Sequence, residues 1–187
     1  MSIIKIFLFI FPFIIAGAFQ IIWLKFGLFK SLSYPVDFHK TFRGKRLFGN
    51  HKTFRGFILF SPVPGLVFYL LHQFDWYLPF EFEVFKNYSP FLVGLYLGFA
   101  YMLGELPNSF LKRQLGVSEG TTASRGLTKY IGIINDQYDS VIMTSIALYA
   151  IQDMSLKYLF CLALVSGFIH YLFNVILFLV RIKKHPY

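Results

Sequence analysis

The hexapeptide HKTFRG occurs twice, at 39–44 and 51–56, in a stretch that gathers Lys40, Arg43, Lys45, Arg46, Lys52 and Arg55. Each copy offers an ammonium, a hydroxyl, a planar guanidinium and a flexible glycine in close succession. These groups suit polyphosphate oxygens: Arg grips bidentately, Lys acts as a point charge, and Gly lets main-chain N–H groups approach. Lys40, Arg43 and Arg46, with Lys52, Thr53, Arg55 and Gly56 of the second copy, are therefore candidate polyphosphate contacts. The plainer reading is a basic loop that fixes topology and touches anionic lipid at about 1 kcal/mol per cation. That reading explains the charge but not the repetition.

A second constellation lies in GELPNSFLKRQLG, residues 104–116. Helical spacing would put Glu105, Ser109, Lys112 and Arg113 within two turns of one face, with Phe110, Leu111 and Leu115 covering the others. An amphipathic interfacial helix would satisfy the same pattern. A third is Asp136 and Asp139, three apart and hence on one helical face at the mouth of an apolar run. Like charges so placed repel, and ionisable groups at membrane depth are disfavoured. A hard cation would relieve both problems, since Mg²⁺ takes one or two carboxylates and leaves its other positions to water and phosphate. The alternative is two acids wetted at a helix end. His170 and Asn174, one turn apart in the last apolar run, suit an interhelical hydrogen bond.

The elements that must hold these groups are membrane helices. The chain is 56% hydrophobic and only 14% charged, with 25 Phe and 12 Tyr, far from the composition of a soluble domain. The fold class expected is all-α, a polytopic integral membrane protein forming a single domain over 1–187. A bilayer core needs about 20 apolar residues in helical form. Five runs qualify as candidates: Ile3–Leu24, Phe57–Leu71, Phe91–Leu103, Tyr130–Ile151 and Leu156–Val180. Pro62 and Pro64 predict a kinked or partly re-entrant second segment. Ala16-Gly17-Ala18 resembles a signal cleavage site, but the apolar stretch continues through Leu24 and the strong positive charge comes after it rather than before it. The single Cys161 excludes a disulfide framework.

Charge orients the chain. Residues 25–55 hold eight Lys/Arg, 105–129 four and 181–184 three, while the alternate segments hold only Lys5, Lys86 and Lys157. The positive-inside rule makes the fifteen-cation side cytoplasmic, with the N-terminus outside and the C-terminus inside. The expected location is the cell membrane, multi-pass, with all three motifs facing the cytoplasm. No nucleic-acid partner is expected, and the aromatic-rich spans could pack a homodimer.

These residues carry a family resemblance. PVDFHKTFRGKRLFGNHKTFRG (35–56) resembles the PLDxGKxxRGxRxLGDGKTWRG segment of the archaeal CDP-archaeol synthases. GELPNSFLKRQLGVSEG (104–120) resembles their GDLxxSFxKRRLGxxxG, NDQYD (135–139) their LDQLD, and the closing residues 169–187 their THxxxNxxAYxxGxKxxPW. The departures are Glu105 where the family has Asp, Asn50-His51 for Asp-Gly, and Phe54 for Trp. The family belongs with the CDP-diacylglycerol synthases among CTP-using membrane enzymes.

The resemblance implies Mg²⁺-dependent cytidylyl transfer, in which the phosphate of a membrane lipid attacks the α-phosphorus of CTP to give a CDP-lipid and pyrophosphate. Lys40, Arg43, Arg46, Lys52, Thr53, Arg55 and Gly56 would then hold CTP. Ser109, Lys112 and Arg113 would meet the lipid phosphate or the departing pyrophosphate, and Asp136, Asp139 and Glu105 would hold metal. Both residue types of the His170/Asn174 pair occur in the family's last block, so a place beside the active-site cleft stays open for them. An ester-linked phosphatidate is the alternative substrate to 2,3-bis-O-geranylgeranylglycerol phosphate. Two rival classes are a CDP-alcohol phosphotransferase, whose D-x2-D-G-x2-A-R pattern is absent because Ser140 comes directly after Asp139, and a non-catalytic binder of acidic lipid.

Overall fold

The computed structural model describes residues 3–74, 83–119, 127–179 and 181. Three long helices have the expected positions: α1 Ile3–Lys25, α6 Leu127–Ile151 and α7 Leu156–Leu179. At about 1.5 Å per residue such helices reach about 35 Å, enough to cross a bilayer core. The second segment is two helices, α2 Phe54–Phe60 and α3 Pro62–Gln73, separated only by Ser61, which itself keeps right-handed helical dihedrals. Pro62 removes one N–H and occupies the first position of α3, so the interruption falls at the proline without ending the crossing. Short α4, Val84–Asn87, precedes α5, Pro90–Gln114.

One expectation is corrected here. The third span does not stop at Leu103: α5 continues for eleven more residues through Pro107 to Gln114, so the Glu105–Arg113 motif lies on a membrane helix and not in a loop. Hydropathy falls after Leu103, and the helix runs on through Gly104 and Pro107 although neither favours helix by itself. By length and composition four helical segments among the described residues can cross a membrane, Ile6–Lys25, Phe54–Gln73, Pro90–Gln114 and Leu156–Leu179. The predicted fourth span, now within α6, is long enough, but Asn135, Asp136, Gln137 and Asp139 make its first half polar. Val180, Arg125 and the basic residues Lys183 and Lys184 lie outside the described residues.

Helix α5 is central, packed along α3 and α6 and against α2, while α1 lies on α2, α3 and α7. The core joins Phe9 and Ile10 of α1, Phe68 of α3, Leu97 and Ala100 of α5, Leu148 of α6 and Leu162 of α7. Outward faces carry Leu66, Leu92, Phe99, Leu164, Phe168 and Ile176, all exposed. In lipid this arrangement has no hydration penalty, and helix association rests on close packing instead. Gly104 shows how close: a Cβ there would fall 2.6 Å from the Asp139 carbonyl oxygen and 2.8 Å from the Ser140 Cα. The backbones of α5 and α6 therefore touch one residue before Glu105.

The connection between α1 and α2 folds back on itself. A 3₁₀ turn, Lys30–Leu32, leads to a two-stranded hairpin, β1 Thr41–Phe42 and β2 Lys45–Arg46, with Thr41 opposite Arg46 and Phe42 opposite Lys45. Its two-residue turn is Arg43-Gly44, at φ 53° and 73°, the left-handed pair that a type I′ hairpin requires. The two HKTFRG copies thus adopt different structures. The first is the hairpin, whereas in the second Thr53 is the extended residue before α2 and Arg55-Gly56 are helical. Lys45-Arg46 come after the first glycine and an apolar run after the second, so only the second copy can continue into a membrane helix.

Candidate active site

The spacing of Glu105, Asn108, Ser109 and Lys112 places them on one face of α5, and the Gly104 contact turns that face to α6. Lys112 Nζ pairs with both carboxylate oxygens of Asp136. Asn108 donates from Nδ2 to Asp136 Oδ1 at 2.6 Å and to Asp139 Oδ2 at 2.9 Å. The second oxygen of Asp139 accepts from its neighbour Ser140, at 2.6 Å from the N–H and 3.2 Å from the hydroxyl. Asp136 and Asp139 do share a face, and one amide joins them.

Lys52 reaches this cluster from the loop. Val36 N–H donates to the Lys52 carbonyl at 2.9 Å and Phe54 N–H to the Tyr34 carbonyl at 3.0 Å, which pins Lys52 at the foot of α2. Its ammonium pairs with Glu105 Oε2. Burial pulls the Lys52 pKa down, but the Glu105 carboxylate, helped by Asp139 and Asp136, outweighs it and leaves the value above that of an ordinary lysine. The cluster therefore holds two ammonium groups against three carboxylates within a partly buried space.

Most of the other residues expected from the sequence have partners of their own. Arg46 is clamped on Asp37, with Nη2 at 2.6 Å from Oδ1 and Nε at 3.3 Å from Oδ2, and its Nη1 donates to Asn50 Oδ1 at 2.7 Å. Lys40 and Arg43 are exposed on the hairpin, Arg43 lying 5.3 Å over the Phe42 ring. Arg55 donates to the Leu28 carbonyl at 3.1 Å, and Arg113 to the Ser118 carbonyl at 3.3 Å. Thr53 starts α2, and Gly56 sits against α5, where a Cβ would meet Met102 Cε at 2.9 Å. The Ser109 hydroxyl bonds back to the Glu105 carbonyl at 2.8 Å. His170 Nδ1 is 3.2 Å from the Gln137 carbonyl oxygen, and Asn174 Nδ2 donates to Gln137 Oε1 at 2.9 Å, so these two do join α7 to α6.

A cavity of about 310 Å³ opens beside the cluster. Phe9, Ile10, Phe13 and Ile14 of α1 and Leu177 of α7 belong to its apolar lining, while Tyr101, Glu105, Thr144, Ser145, His170 and Asn174 belong to its polar lining. Glu105 thus belongs both to the ion-paired cluster and to the cavity wall. Among the described residues no three of His, Cys, Asp and Glu converge as a metal group. Glu105 is held by Lys52, and Asp136 with Asp139 is the pair whose oxygens could meet a hard cation, a number of carboxylates that suits Mg²⁺.

Sequence reasoning missed three residues. Asn108 lies inside the GELPNSFLKR string, one turn after Glu105 and one before Lys112, so helical spacing alone could have found it. Asp37, only 3% exposed, organises the whole loop: besides Arg46 it accepts the N–H groups of His39 at 3.0 Å, Phe48 at 3.0 Å and Gly49 at 3.1 Å. Against the upward push of burial, these donors lower its pKa from 3.8 to about 2. Glu119, after α5, accepts from Asn50 N–H at 3.0 Å and so fills the place where the hairpin loop meets that helix. Nothing in the local sequence signals this last pairing.

Apolar helices, an ion-paired cluster of lysines and carboxylates, and a cavity sharing Glu105 with that cluster define a multi-pass membrane protein with a charged site beside an apolar cavity. The comparisons with known proteins are specific. Residues 1–187 match the family described as CarS-like, CDP-archaeol synthase, and the chain belongs to that family. It is similar to the CDP-archaeol synthase of Pyrobaculum islandicum, 29% identical over 189 residues and 100% of both chains. It is also similar to those of Pyrobaculum arsenaticum, 27% identical over 82% of each chain, and Pyrococcus furiosus, 28% identical over 82% of this chain and 83% of the other. No solved structure matches it.

Proposed function

We propose that this chain transfers a cytidylyl group from CTP to an archaeal lipid phosphate, releasing pyrophosphate and forming a CDP-lipid for phospholipid synthesis. The observation that carries this reading is the double placement of Glu105, in the ion-paired cluster with Lys52 and on the wall of the apolar cavity. A lipid whose chains lie along α1 and α7 would bring its phosphate to the polar groups beside Glu105. The family name supports CTP as the donor and an ether-linked isoprenoid lipid as the acceptor.

Transfer between two polyanions asks a protein mainly to position them and to neutralise charge developing on the phosphorus and leaving oxygens. Lys52 would hold the triphosphate, with Lys40 and Arg43 approaching from the hairpin. Lys112 would meet the lipid phosphate or the pyrophosphate. No side chain need act as base, because the lipid phosphate is already ionised at neutral pH. Asp136 and Asp139 would hold Mg²⁺, whose chemistry is to neutralise phosphate charge. The site faces the cytoplasm in this reading, supported by the fifteen-to-three split of cations.

The test incubates the purified protein with labelled CTP, Mg²⁺ and either an ether-linked isoprenoid glycerol phosphate, an ester-linked phosphatidate, or no lipid. The expected result is labelled CDP-lipid with the ether-linked acceptor and none without lipid. Product with the phosphatidate alone would change the substrate class, and no product with either lipid would refute the reading.

A further inference from the structure

Asn108 is the side chain that touches both aspartates, and it is buried, with 9% of its surface exposed. We infer that Asn108 is the positioning residue of the carboxylate pair, its single NH₂ group holding one oxygen of each acid. This rests on the proposal that the pair binds metal. The pattern that GELPNSFLKR resembles leaves this position unspecified, so the assignment comes from the contacts alone.

The physical case is one of repulsion and valence. Two carboxylates three residues apart on α6 repel, and each can turn away about its own side-chain bonds. An ammonium can hold a carboxylate, as Lys112 holds Asp136, but as a cation it competes with a metal for the same oxygens. A neutral amide offers two donors without that competition, so it can keep its hold when a cation arrives. Counting about four acceptor directions per carboxylate, Asp139 Oδ1 is engaged by the Ser140 N–H and hydroxyl, and Asp139 Oδ2 by Asn108. Asp136 Oδ1 receives both Asn108 and Lys112, and Asp136 Oδ2 receives Lys112 alone. The less committed oxygens are therefore Oδ2 of each acid. The Gly104 contact with Asp139 and Ser140, one turn before Asn108, sets the helix separation across which the amide reaches.

The experiment measures Mn²⁺ affinity of the detergent-solubilised full chain by electron paramagnetic resonance, and CTP affinity without metal by equilibrium dialysis. Loss of a group that orients metal ligands typically weakens metal binding about 10- to 100-fold. Asn108→Leu, close in volume and without a donor, should show that loss while CTP binding without metal stays unchanged. Asn108→Gln, which keeps the NH₂ group, should fall between Leu and wild type. Wild-type Mn²⁺ affinity in Asn108→Leu overturns the inference, and so does an equal loss of metal and CTP affinity, because the amide would then only hold the helices together. If the leucine variant does not fold, Asn108→Ser carries the same test, with wild-type affinity again overturning the inference. Asp136→Asn separates the two levels: should it bind Mn²⁺ as the wild type does, the metal assignment itself is wrong and falls together with the role of Asn108.

Discussion

Lys52, from the second HKTFRG copy, is ion-paired with Glu105, from the middle of α5, across 53 residues of sequence. The first copy, identical in sequence, is an exposed hairpin. The two copies should therefore fail differently. Lys52→Ala should lower turnover by about 10²- to 10³-fold, the usual scale for one oriented electrostatic contact. Lys40→Ala and Arg43→Ala should mainly raise KM for CTP with kcat retained, the signature of lost uniform binding. Steady-state kinetics on the three variants decides, and equal, mild effects would return the loop to a topological role.

Asp136→Asn and Asp139→Asn preserve shape while deleting charge. Each should reduce Mg²⁺-dependent pyrophosphate release by about 10²- to 10³-fold. Thermal unfolding measured in parallel should show both variants folded. Wild-type turnover in both would make the pair a wetted helix end.

Gly104 and Gly132 offer a paired test of packing. A Cβ at Gly104 would meet α6 backbone at 2.6 Å, whereas nothing lies within 4 Å of one at Gly132. Gly104→Ala should lose about 1–3 kcal/mol and most activity, because α5 must move away from Asp139. Gly132→Ala should gain about 0.5–1 kcal/mol, as an alanine replaces a glycine within a helix. Unfolding in detergent compares them, and a Gly104→Ala protein as stable and active as wild type would contradict the close approach.

Asp37 makes the loop sensitive to acid. Its folded pKa, about 2, lies below the 3.8 of the free side chain, so its contribution is fully present above about pH 4 and is lost as pH falls towards 2. The shift corresponds to about 2 kcal/mol. Asp37→Asn should be less stable than wild type at pH 7, and the gap in unfolding temperature should narrow between about pH 4 and pH 2. A gap that stays constant over that interval would remove Asp37 as its cause.

Orientation can be read by labelling. Cysteines introduced at Ser33 and Ser118 should react only with reagents that reach the cytoplasm, and one at Ser89 only with reagents outside. Labelling of Ser33 and Ser89 from the same side would overturn the alternating arrangement.

The positions of the long apolar helices were legible in the sequence because apolar runs of bilayer length are a one-dimensional signal, and Pro62 marked its own interruption. The pairing of Asp136 with Asp139 was legible because both lie on one helix, where a spacing of three fixes a common face. The extent of α5 was not, since hydropathy falls at Leu103 while helix formation does not depend on it. What only the tertiary structure decided is which charges meet. Arg46, Arg55 and Lys52 read alike as loop cations, yet Asp37 takes the first, the Leu28 carbonyl the second and Glu105 the third. The repeated hexapeptide makes the reason plain: identical residues become a hairpin or the start of a membrane helix according to the residues next in the chain and the surfaces they pack against, and neither is a property of the six residues themselves.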